Sequence, residues 1–437
     1  MIDLPLFARH VKPVEKSFYQ PEIQTMPVDK IQQLQLERLK NQVRAALEKP
    51  IPFWKRKLEE SGIQSADDIK SLEDLRRIPV TLKDELRESE RLHPPFGDYR
   101  GVGREGTLKI GTTSGSTGVP TTTLWTKNDL EAEYIAGVRN YWRGGLRPGM
   151  WIVHAHPLGI YGSSLFTGML EYMGTCPITT GICKEDAELE SVLRYLERIS
   201  PDYFTLFPTS HARFYEKAVE LGLDLDKLNL PEPSTVWPEA QTDSVSSGID
   251  AFAFLGTICH EKNGAHVHED LVILEALDPV TGNPVPDGER GQLTISTITK
   301  DNFVLRYNVE DIVRIYRDPC PCGETHARMF FDGREKDIIK VNNKRILPLD
   351  VEKLLNKYTD SSIIRYQILR KKKGADHELL RVRFEHAKAG TAEADSIQTQ
   401  LSNNISDDLH VPVTVELVTG DVIPRDTFKP MWVVDEV

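Results

Sequence analysis

The sequence predicts an α/β protein, with a large N-terminal domain of α/β sheets plus a β-rich part and a small α+β C-terminal domain. Through the first half of the chain, short apolar runs alternate with stretches of helical periodicity, as in an α/β sheet. The runs LVILEAL and GQLTISTI then indicate a β-rich continuation. After Asp332–Asp337 the pattern changes to helices and hairpin strands over about 100 residues, the size of a small domain. We therefore predict domains at 1–333 and 334–437.

The elements of the large domain follow from the spacing of apolar residues. Ile31–Leu47 places its apolar residues near helical spacing and ends before a proline, which predicts a helix. Four further elements are predicted in the same way: strands at Trp151–His156 and Tyr203–Phe207, and helices at Ala187–Ile199 and His211–Gly222.

The small domain is predicted to contain two helices and three strands. A short helix is predicted near Leu349–Tyr358, before two strands that are joined by a basic, glycine-containing turn. The strands are Ile363–Leu369 and Glu378–Glu385, and a helix over Ala392–Leu409 and a strand over Val413–Val418 follow.

Composition excludes several classes of protein. The net charge is -12 and there is no long basic run, so we expect no nucleic-acid partner. No stretch approaches the roughly 18 apolar residues of a membrane span, and the first residues carry charges where a signal peptide needs an apolar run. Five cysteines in 437 residues do not make a disulfide framework. We therefore predict a cytoplasmic protein with no membrane partner.

One loop is unusually rich in small residues. Lys109–Thr126 reads KIGTTSGSTGVPTTTLWT, and Gly111–Gly118 contains three glycines and five serines or threonines. Such a loop exposes backbone N–H groups and short hydroxyls that suit phosphate oxygens, although a flexible linker has a similar composition. Strand-like residues flank it, and Thr126 with Asp129 predicts a capping box for a following helix.

The order of residues in Thr113–Pro120, TSGSTGVP, resembles the phosphate loop of the adenylate-forming superfamily, which includes acyl-coenzyme A synthetases and luciferase-like enzymes. The resemblance implies that the large domain binds ATP and an acid, and that the small domain is mobile. It also implies that this loop holds the β- and γ-phosphates of ATP with bridging Mg²⁺. The implied phosphate contacts are Thr113, Ser114, Gly115, Ser116, Thr117 and Gly118.

Two further segments match the superfamily in the expected order. Arg306–Asp311 resembles its Arg-Tyr-x-x-x-Asp segment, which implies that Asp311 accepts hydrogen bonds from both ribose hydroxyls. Gly333–Lys340 resembles its hinge segment, which implies that Arg334 helps to hold the nucleotide and that Lys336 is the pivot of the small domain.

A third segment, Val422–Lys429, resembles the one that carries the superfamily's catalytic lysine. Lys429 is thus the implied mobile cation that stabilises charge during adenylation. The family usually has glycine before this lysine, where this chain has Phe428. It also has glycine three residues after Lys340, where this chain has Asn343, a residue type that tolerates positive φ.

The N-terminal stretch Gln33–Arg87 and the segment Gly159–Gly174 resemble phenylacetate–coenzyme A ligase and its relatives. This branch implies that an aromatic carboxylic acid is the substrate and that coenzyme A is the acceptor. A phosphopantetheine-bearing carrier protein or an amine is the alternative acceptor. A homodimer is a further expectation from the family.

A zinc site is the other feature that this branch implies. Cys259 and His266 are seven residues apart, and Cys320 and Cys322 form a Cys-x-Cys pair. Three thiolates and one imidazole complete a closed tetrahedral structural Zn²⁺ site. From the residues alone, buried free cysteines near a surface histidine remain an alternative. His260, His268 and His326 are nearby competitors, of which His268 could replace His266.

The chain departs from the superfamily before Cys259. Gly256 and Thr257 correspond to the start of a Tyr-Gly-x-Ser/Thr-Glu segment, and we expect them to contact the nucleotide. Cys259 then stands where the Mg²⁺-binding glutamate is expected, with Glu261 as a possible substitute. This departure motivates a second hypothesis, a nucleotide-binding protein that has lost catalysis, against which the retained Lys429, Asp311 and Arg334 argue.

Overall fold

The computed structural model describes residues 18–112, 121–157, 164–206, 208–230, 244–245, 251–359, 365–372, 374–420, 422–424 and 432–436. These residues form two compact units. The first takes the described residues of 1–233, 242–309 and 314–330, and the second takes those of 310–313 and 331–437. The predicted boundary between 333 and 334 stays a prediction.

Nine helices and twelve strands lie within or begin in the first unit as described. The helices are α1 (Pro21–Gln24), α2 (Val28–Glu48), α3 (Pro52–Glu60), α4 (Lys83–Leu92), α5 (Lys127–Arg143), α6 (Ser164–Met173), α7 (Asp186–Ile199), α8 (Pro208–Glu220) and α9 (Leu225–Leu228). The strands are β1 (Lys109–Thr112), β2 (Thr122–Trp125), β3 (Trp151–Ala155), β4 (Cys176–Thr179), β5 (Tyr203–Leu206), β6 (Ser244–Val245), β7 (Gly256–Ile258), β8 (Ala265–Val267), β9 (Val272–Leu277), β10 (Gly291–Thr297), β11 (Tyr307–Tyr316) and β12 (Arg328–Arg334).

A parallel sheet in the order β4-β3-β5 forms the α/β part of the first unit. Its central strand β3 is almost wholly buried, because helices cover a parallel sheet on both faces. Leu189, Leu193 and Leu196 recur along α7 at helical spacing and are fully buried in the core beside this sheet. The helix predicted over Ala187–Ile199 is therefore confirmed.

A seven-stranded sheet in the order β6-β7-β8-β12-β11-β10-β9 forms the β-rich part. Helix α2 attaches to this sheet and to the turn after β10 through two buried polar side chains. Gln35 Nε2 donates to the Val272 carbonyl at 3.1 Å, and Gln42 Nε2 donates to the Lys300 carbonyl at 2.9 Å. The helix predicted at Ile31–Leu47 is thus confirmed and is slightly longer than predicted.

The second unit is an α+β domain of two helices and several short strands. The elements are β13 (Ile339–Val341), β14 (Lys344–Ile346), α10 (Pro348–Tyr358), β15 (Tyr366–Arg370), β16 (Asp376–His377), β17 (Leu380–Glu385), α11 (Ala394–Leu409), β18 (Val413–Val418) and β19 (Val433–Asp435). Four of the strands form a sheet in the order β18-β17-β15-β19, and the other three form a sheet in the order β14-β13-β16.

The predicted elements of this unit are confirmed, with ends that shift by a few residues. Leu380, Val382 and Phe384 alternate along β17 and are buried, while Arg381 and Arg383 between them are only partly buried. This alternation is the period-two pattern from which the strand is predicted. No helix in the described ranges has both the length and the apolar character that crossing a membrane requires.

Candidate active site and metal centre

The residues that flank the small-residue loop adopt the predicted strands. β1 and β2 pair antiparallel, from Lys109 opposite Trp125 to Thr112 opposite Thr122. Thr113–Gly118, the predicted phosphate contacts, lie outside the described residues, as does Lys429. Their roles therefore stay predictions, and the structure describes only the residues on either side of the loop.

The start of α5 is anchored by the predicted capping box. Thr126 N–H donates to Asp129 Oδ2 at 3.0 Å, and Asp129 N–H donates to Thr126 Oγ1 at 3.2 Å. Asp129 Oδ1 also accepts from the Asp301 N–H at 2.7 Å, and Asn302 Nδ2 donates to the Leu124 carbonyl at 3.1 Å. The cap thus fixes both the helix start and strand β2 against the turn at Asp301–Asn302.

Gly256 and Thr257, the predicted nucleotide contacts, lie on buried strand β7. A Cβ at position 256 would come within 2.5 Å of the His266 carbonyl oxygen on β8, so glycine is required there. Thr257 is 2 % exposed, and its Oγ1 has no hydrogen-bond partner among the described residues. A buried hydroxyl without a partner is costly, and a nucleotide contact remains the prediction for it.

Asp311 and Arg334 lie together within the second unit. Arg334 Nε is 3.9 Å from Asp311 Oδ1, and the Arg334 side chain is 42 % exposed whereas that of Asp311 is 12 % exposed. A carboxylate and a guanidinium at this distance form one polar site that offers both acceptors and donors. The two predicted nucleotide contacts from separate motifs are therefore neighbours in the structure.

The predicted pivot Lys336 is exposed and lies in a short 3-10 turn, Glu335–Asp337. Beyond it, β13 and β14 form a hairpin in which Val341 pairs with Lys344. The two turn residues Asn342 and Asn343 have φ of 49° and 63°. Such a two-residue turn requires positive φ at both positions, so asparagine replaces the family's glycine without loss of the turn.

Four potential metal ligands converge beside β7 and β8. The ligand atoms of Cys259, His266, Cys320 and Cys322 all lie within 4.8 Å of one another. Cys259 Sγ is 3.8 Å from Cys320 Sγ, and Cys322 Sγ is 3.3 Å from His266 Nε2. The first three residues are buried and Cys322 is partly buried. The four predicted ligands thus form one enclosed group of three sulfurs and one nitrogen.

The hydrogen bonds of His266 select the nitrogen that faces the sulfurs. Its Nδ1 donates to the His326 carbonyl at 3.0 Å, which leaves Nε2 free of a proton in the neutral ring. Burial lowers the pKa of His266 to about 4, and burial, with the neighbouring thiols, raises the pKa of Cys322 to about 12. A neutral imidazole is the form that binds metal, and a divalent cation would favour the thiolates.

The rival zinc ligand His268 and the substitute Mg²⁺ ligand Glu261 both lie outside this arrangement. His268 is buried, but it does not belong to the four-residue ligand group. Glu261, the possible substitute for the missing glutamate, lies with Oε1 3.2 Å from His260 Nε2. His266 is therefore the histidine that the structure brings to the cysteines.

This chain matches both a family model and the sequences of known proteins. A family model described as the AMP-binding enzyme C-terminal domain matches residues 343–436. A phenylacetate–coenzyme A ligase of Thermus thermophilus is 31% identical over 453 residues, which cover 93% of this chain and 96% of that relative. This chain belongs to the phenylacetate–coenzyme A ligase family. The Escherichia coli phenylacetate–coenzyme A ligase is 28% identical over 446 residues, 94% of this chain and 96% of that protein.

Solved structures place this family member among the adenylate-forming enzymes. A 2-hydroxyisobutyryl-CoA ligase in the postadenylation state, in complex with 2-HIB-AMP, matches with a TM-score of 0.81 and 26% identity, over 98% of this chain and 94% of that one. An open conformation of that ligase with 2-HIB-AMP and CoA matches with a TM-score of 0.72, over 98% and 96% of the two chains. The predicted fold class is thereby confirmed.

The structure of this family member also shows a buried ion pair that the sequence did not reveal. Lys300 Nζ lies 2.5 Å from Glu133 Oε1, with side-chain exposures of 5% and 0%. Lys300 also donates to the Ala251 carbonyl, and Glu133 Oε2 accepts from the Ala253 N–H at 2.9 Å. The pair therefore fixes the segment immediately before the strand that carries Thr257.

Arg306 is a second residue whose role is visible only in three dimensions. Its φ is 44°, and its guanidinium bonds Glu275, with Nε 2.8 Å from Oε2, and the Ile78 carbonyl, with Nη1 at 2.7 Å. A bulky residue such as arginine rarely adopts positive φ, and it persists there where surrounding contacts impose it. These contacts hold the strand that leads to Asp311.

Proposed function

We propose that this protein uses ATP to activate a carboxylic acid as an acyl-adenylate and transfers the acyl group to coenzyme A. The observation that carries the proposal is the relationship to phenylacetate–coenzyme A ligases over nearly the whole chain. The neighbouring Asp311 and Arg334 support it, because they derive from two separate nucleotide-binding motifs. The acid is aromatic in this proposal, since the named relatives act on phenylacetate.

In the first half-reaction, a carboxylate oxygen attacks the α-phosphorus of ATP, and the bond from that phosphorus to pyrophosphate breaks. The loop at Thr113–Gly118 holds the β- and γ-phosphates, and Asp311 accepts hydrogen bonds from the ribose hydroxyls. Lys429 orients the carboxylate against the α-phosphate and stabilises the charge that develops there. Mg²⁺ held with the phosphates at the loop Thr113–Gly118 would neutralise the phosphate charge that otherwise repels the carboxylate.

In the second half-reaction, the small domain turns about Lys336 and withdraws Lys429. The thiol of coenzyme A then attacks the acyl carbonyl and loses its proton, and the bond to AMP breaks. Activation is necessary because a carboxylate is a poor electrophile, whereas AMP is a good leaving group. The cytoplasmic location expected from composition and the homodimer expected from the resemblance belong to the same proposal.

The four-residue ligand group is proposed to hold a structural Zn²⁺. Three sulfurs and one imidazole nitrogen match a closed tetrahedral zinc site, which leaves no position for a substrate. The ligands come from the β7–β8 hairpin and from the turn at Cys320–Cys322, so one ion would tie two segments that are 61 residues apart. The proposed role of the ion is structural, and no catalytic step depends on it.

Purified protein should contain about one zinc per chain. Cys322→Ser should lower the zinc content and the melting temperature together, because a closed site contributes folding free energy. Elemental analysis and thermal unfolding measure the two quantities, and Cys176→Ser, outside the ligand group, is the matched control. A folded wild-type protein that contains no metal would overturn the assignment.

The activity itself is tested by acid-dependent exchange of label between pyrophosphate and ATP. The panel should contain aryl, arylacetic and amino acids, together with short hydroxy acids. At least one acid should support exchange, with arylacetic acids the strongest, because the first half-reaction is reversible and needs no acceptor. Exchange that is greatest with amino or short hydroxy acids would refute the aromatic assignment.

The accepting thiol is tested with the acid that exchanges best. Coenzyme A and a phosphopantetheine-loaded carrier protein are offered separately, and thioester formation is followed by mass spectrometry. We expect the coenzyme A thioester. Nucleotide binding without exchange for any acid would favour the alternative of a nucleotide-binding protein that has lost catalysis.

A further inference from the structure

A buried arginine lies at the end of an interior strand of the small domain's four-stranded sheet. Arg370 is the last residue of β15 and is 7% exposed. β15 lies between β17 and β19 in the four-stranded sheet. A guanidinium is always charged and carries five donors, so burying it requires acceptors in fixed positions.

The acceptors of Arg370 come from the predicted hinge and from the C-terminal strand β19. Its Nη1 donates to the carbonyl oxygen of Lys336 at 3.0 Å, and its Nε donates to Asp435 Oδ1 at 2.6 Å. Lys336 is the predicted pivot, and Asp435 lies on the C-terminal strand β19. One side chain therefore bonds the hinge backbone and the last strand at the same time.

Strand β19 is itself fastened to β15 along its length. Ile368 N–H donates to the Trp432 carbonyl at 2.8 Å, and Glu436 N–H donates to the Arg370 carbonyl at 2.7 Å. The Trp432 ring stacks on Tyr366, with ring centroids 5.0 Å apart. Trp432 follows Lys429 by three residues in the sequence, so this pairing fixes the chain shortly after the predicted catalytic lysine, which itself lies outside the described residues.

We propose that Arg370 is a positioning residue that couples the setting of the hinge to strand β19, the strand that follows Lys429 in the chain. The inference rests on the proposed function. A charge-assisted hydrogen bond to the Lys336 carbonyl restrains the orientation of the peptide group at the pivot. Rotation about the pivot must reorient that peptide group, so Arg370 biases the balance between the two hinge settings, and through Asp435 it links this balance to the C-terminal strand.

The expected kinetic effect is an unequal change in the two half-reactions. Arg370→Gln should change the ratio of the pyrophosphate-exchange rate to the thioester-formation rate by about fivefold or more, and Arg370→Lys should change it less. Arg381→Gln is the matched control, because Arg381 bonds Glu436 beside the same strand and has no bond to Lys336. A merely structural arginine would lower both rates together and leave their ratio unchanged.

A second measurement does not depend on activity. Hydrogen–deuterium exchange in peptides covering 333–341 should be faster in Arg370→Gln than in the wild type, but unchanged in Arg381→Gln. Circular dichroism checks that both variants are folded. Unchanged exchange in those peptides, or an unchanged ratio of half-reaction rates, would overturn the proposal. If the wild type shows no pyrophosphate exchange with any acid, the proposed function fails, and the deuterium measurement still decides whether Arg370 restrains the hinge.

Discussion

Lys429→Ala should lower the rate of acid-dependent ATP–pyrophosphate exchange roughly 10²- to 10³-fold, the usual cost of removing one group that stabilises transition-state charge. Negative charge accumulates at the α-phosphate as the carboxylate attacks, and Lys429 is the cation proposed to meet it there. ATP affinity, measured by calorimetry, should remain within a few-fold, because Asp311 and the loop at Thr113–Gly118 hold the nucleotide in this proposal.

The control for this experiment is Lys372→Ala. Lys372 is an exposed lysine of the same domain that lies outside the motifs assigned to ATP binding and adenylation. It should leave both exchange and ATP affinity unchanged. Exchange at the wild-type rate in Lys429→Ala would remove this lysine from the mechanism, and a loss of ATP affinity equal to the loss of rate would make it a binding residue instead.

Lys300→Met should lower the free energy of unfolding by about 3–5 kcal/mol, the range for breaking one side of a buried ion pair. The substitution leaves the Glu133 carboxylate without its counter-charge at a position that is 0% exposed. The Ala251 carbonyl also loses its donor. Urea denaturation followed by circular dichroism measures the change.

The double variant Glu133→Gln with Lys300→Met separates charge from packing. The glutamine carbonyl can still accept from the Ala253 N–H, but no uncompensated charge remains in the core. We therefore expect the double variant to recover at least half of the stability that Lys300→Met loses. A double variant that is less stable than Lys300→Met would show that the carboxylate does not require its partner. Lys49→Met is the control, because Lys49 is exposed and lies 3.9 Å from Asp301 in a surface pair.

The position of the metal ligands shows where sequence reasoning reached its limit. The four residues are named by their spacing and by the resemblance, and the structure brings all four together. The choice between His266 and His268 was open, because both lie in the same short stretch with the same side-chain type. It is decided by the His326 carbonyl, which holds Nδ1 of His266 from a segment 60 residues away.

By itself, the sequence determined the features that depend on neighbours along the chain. The helix of Asp186–Ile199, the capping box at Thr126 and the asparagine turn at Asn342–Asn343 follow from periodicity, short-range hydrogen bonding and tolerance of positive φ. Each is set by interactions within a few residues, so a short stretch of sequence is enough to predict it.

Only the tertiary structure decided which distant charges meet. Lys300 and Glu133 are 167 residues apart, and Arg370 and Lys336 are 34 apart, with no periodicity that relates them. Whether a lysine or arginine is solvated or buried depends on which acceptors the fold places around it, and that arrangement arises only when the sheets pack. Sequence motifs therefore identify the residues proposed to act on the substrates, whereas the residues that hold them in position are identified only by their contacts in the structure.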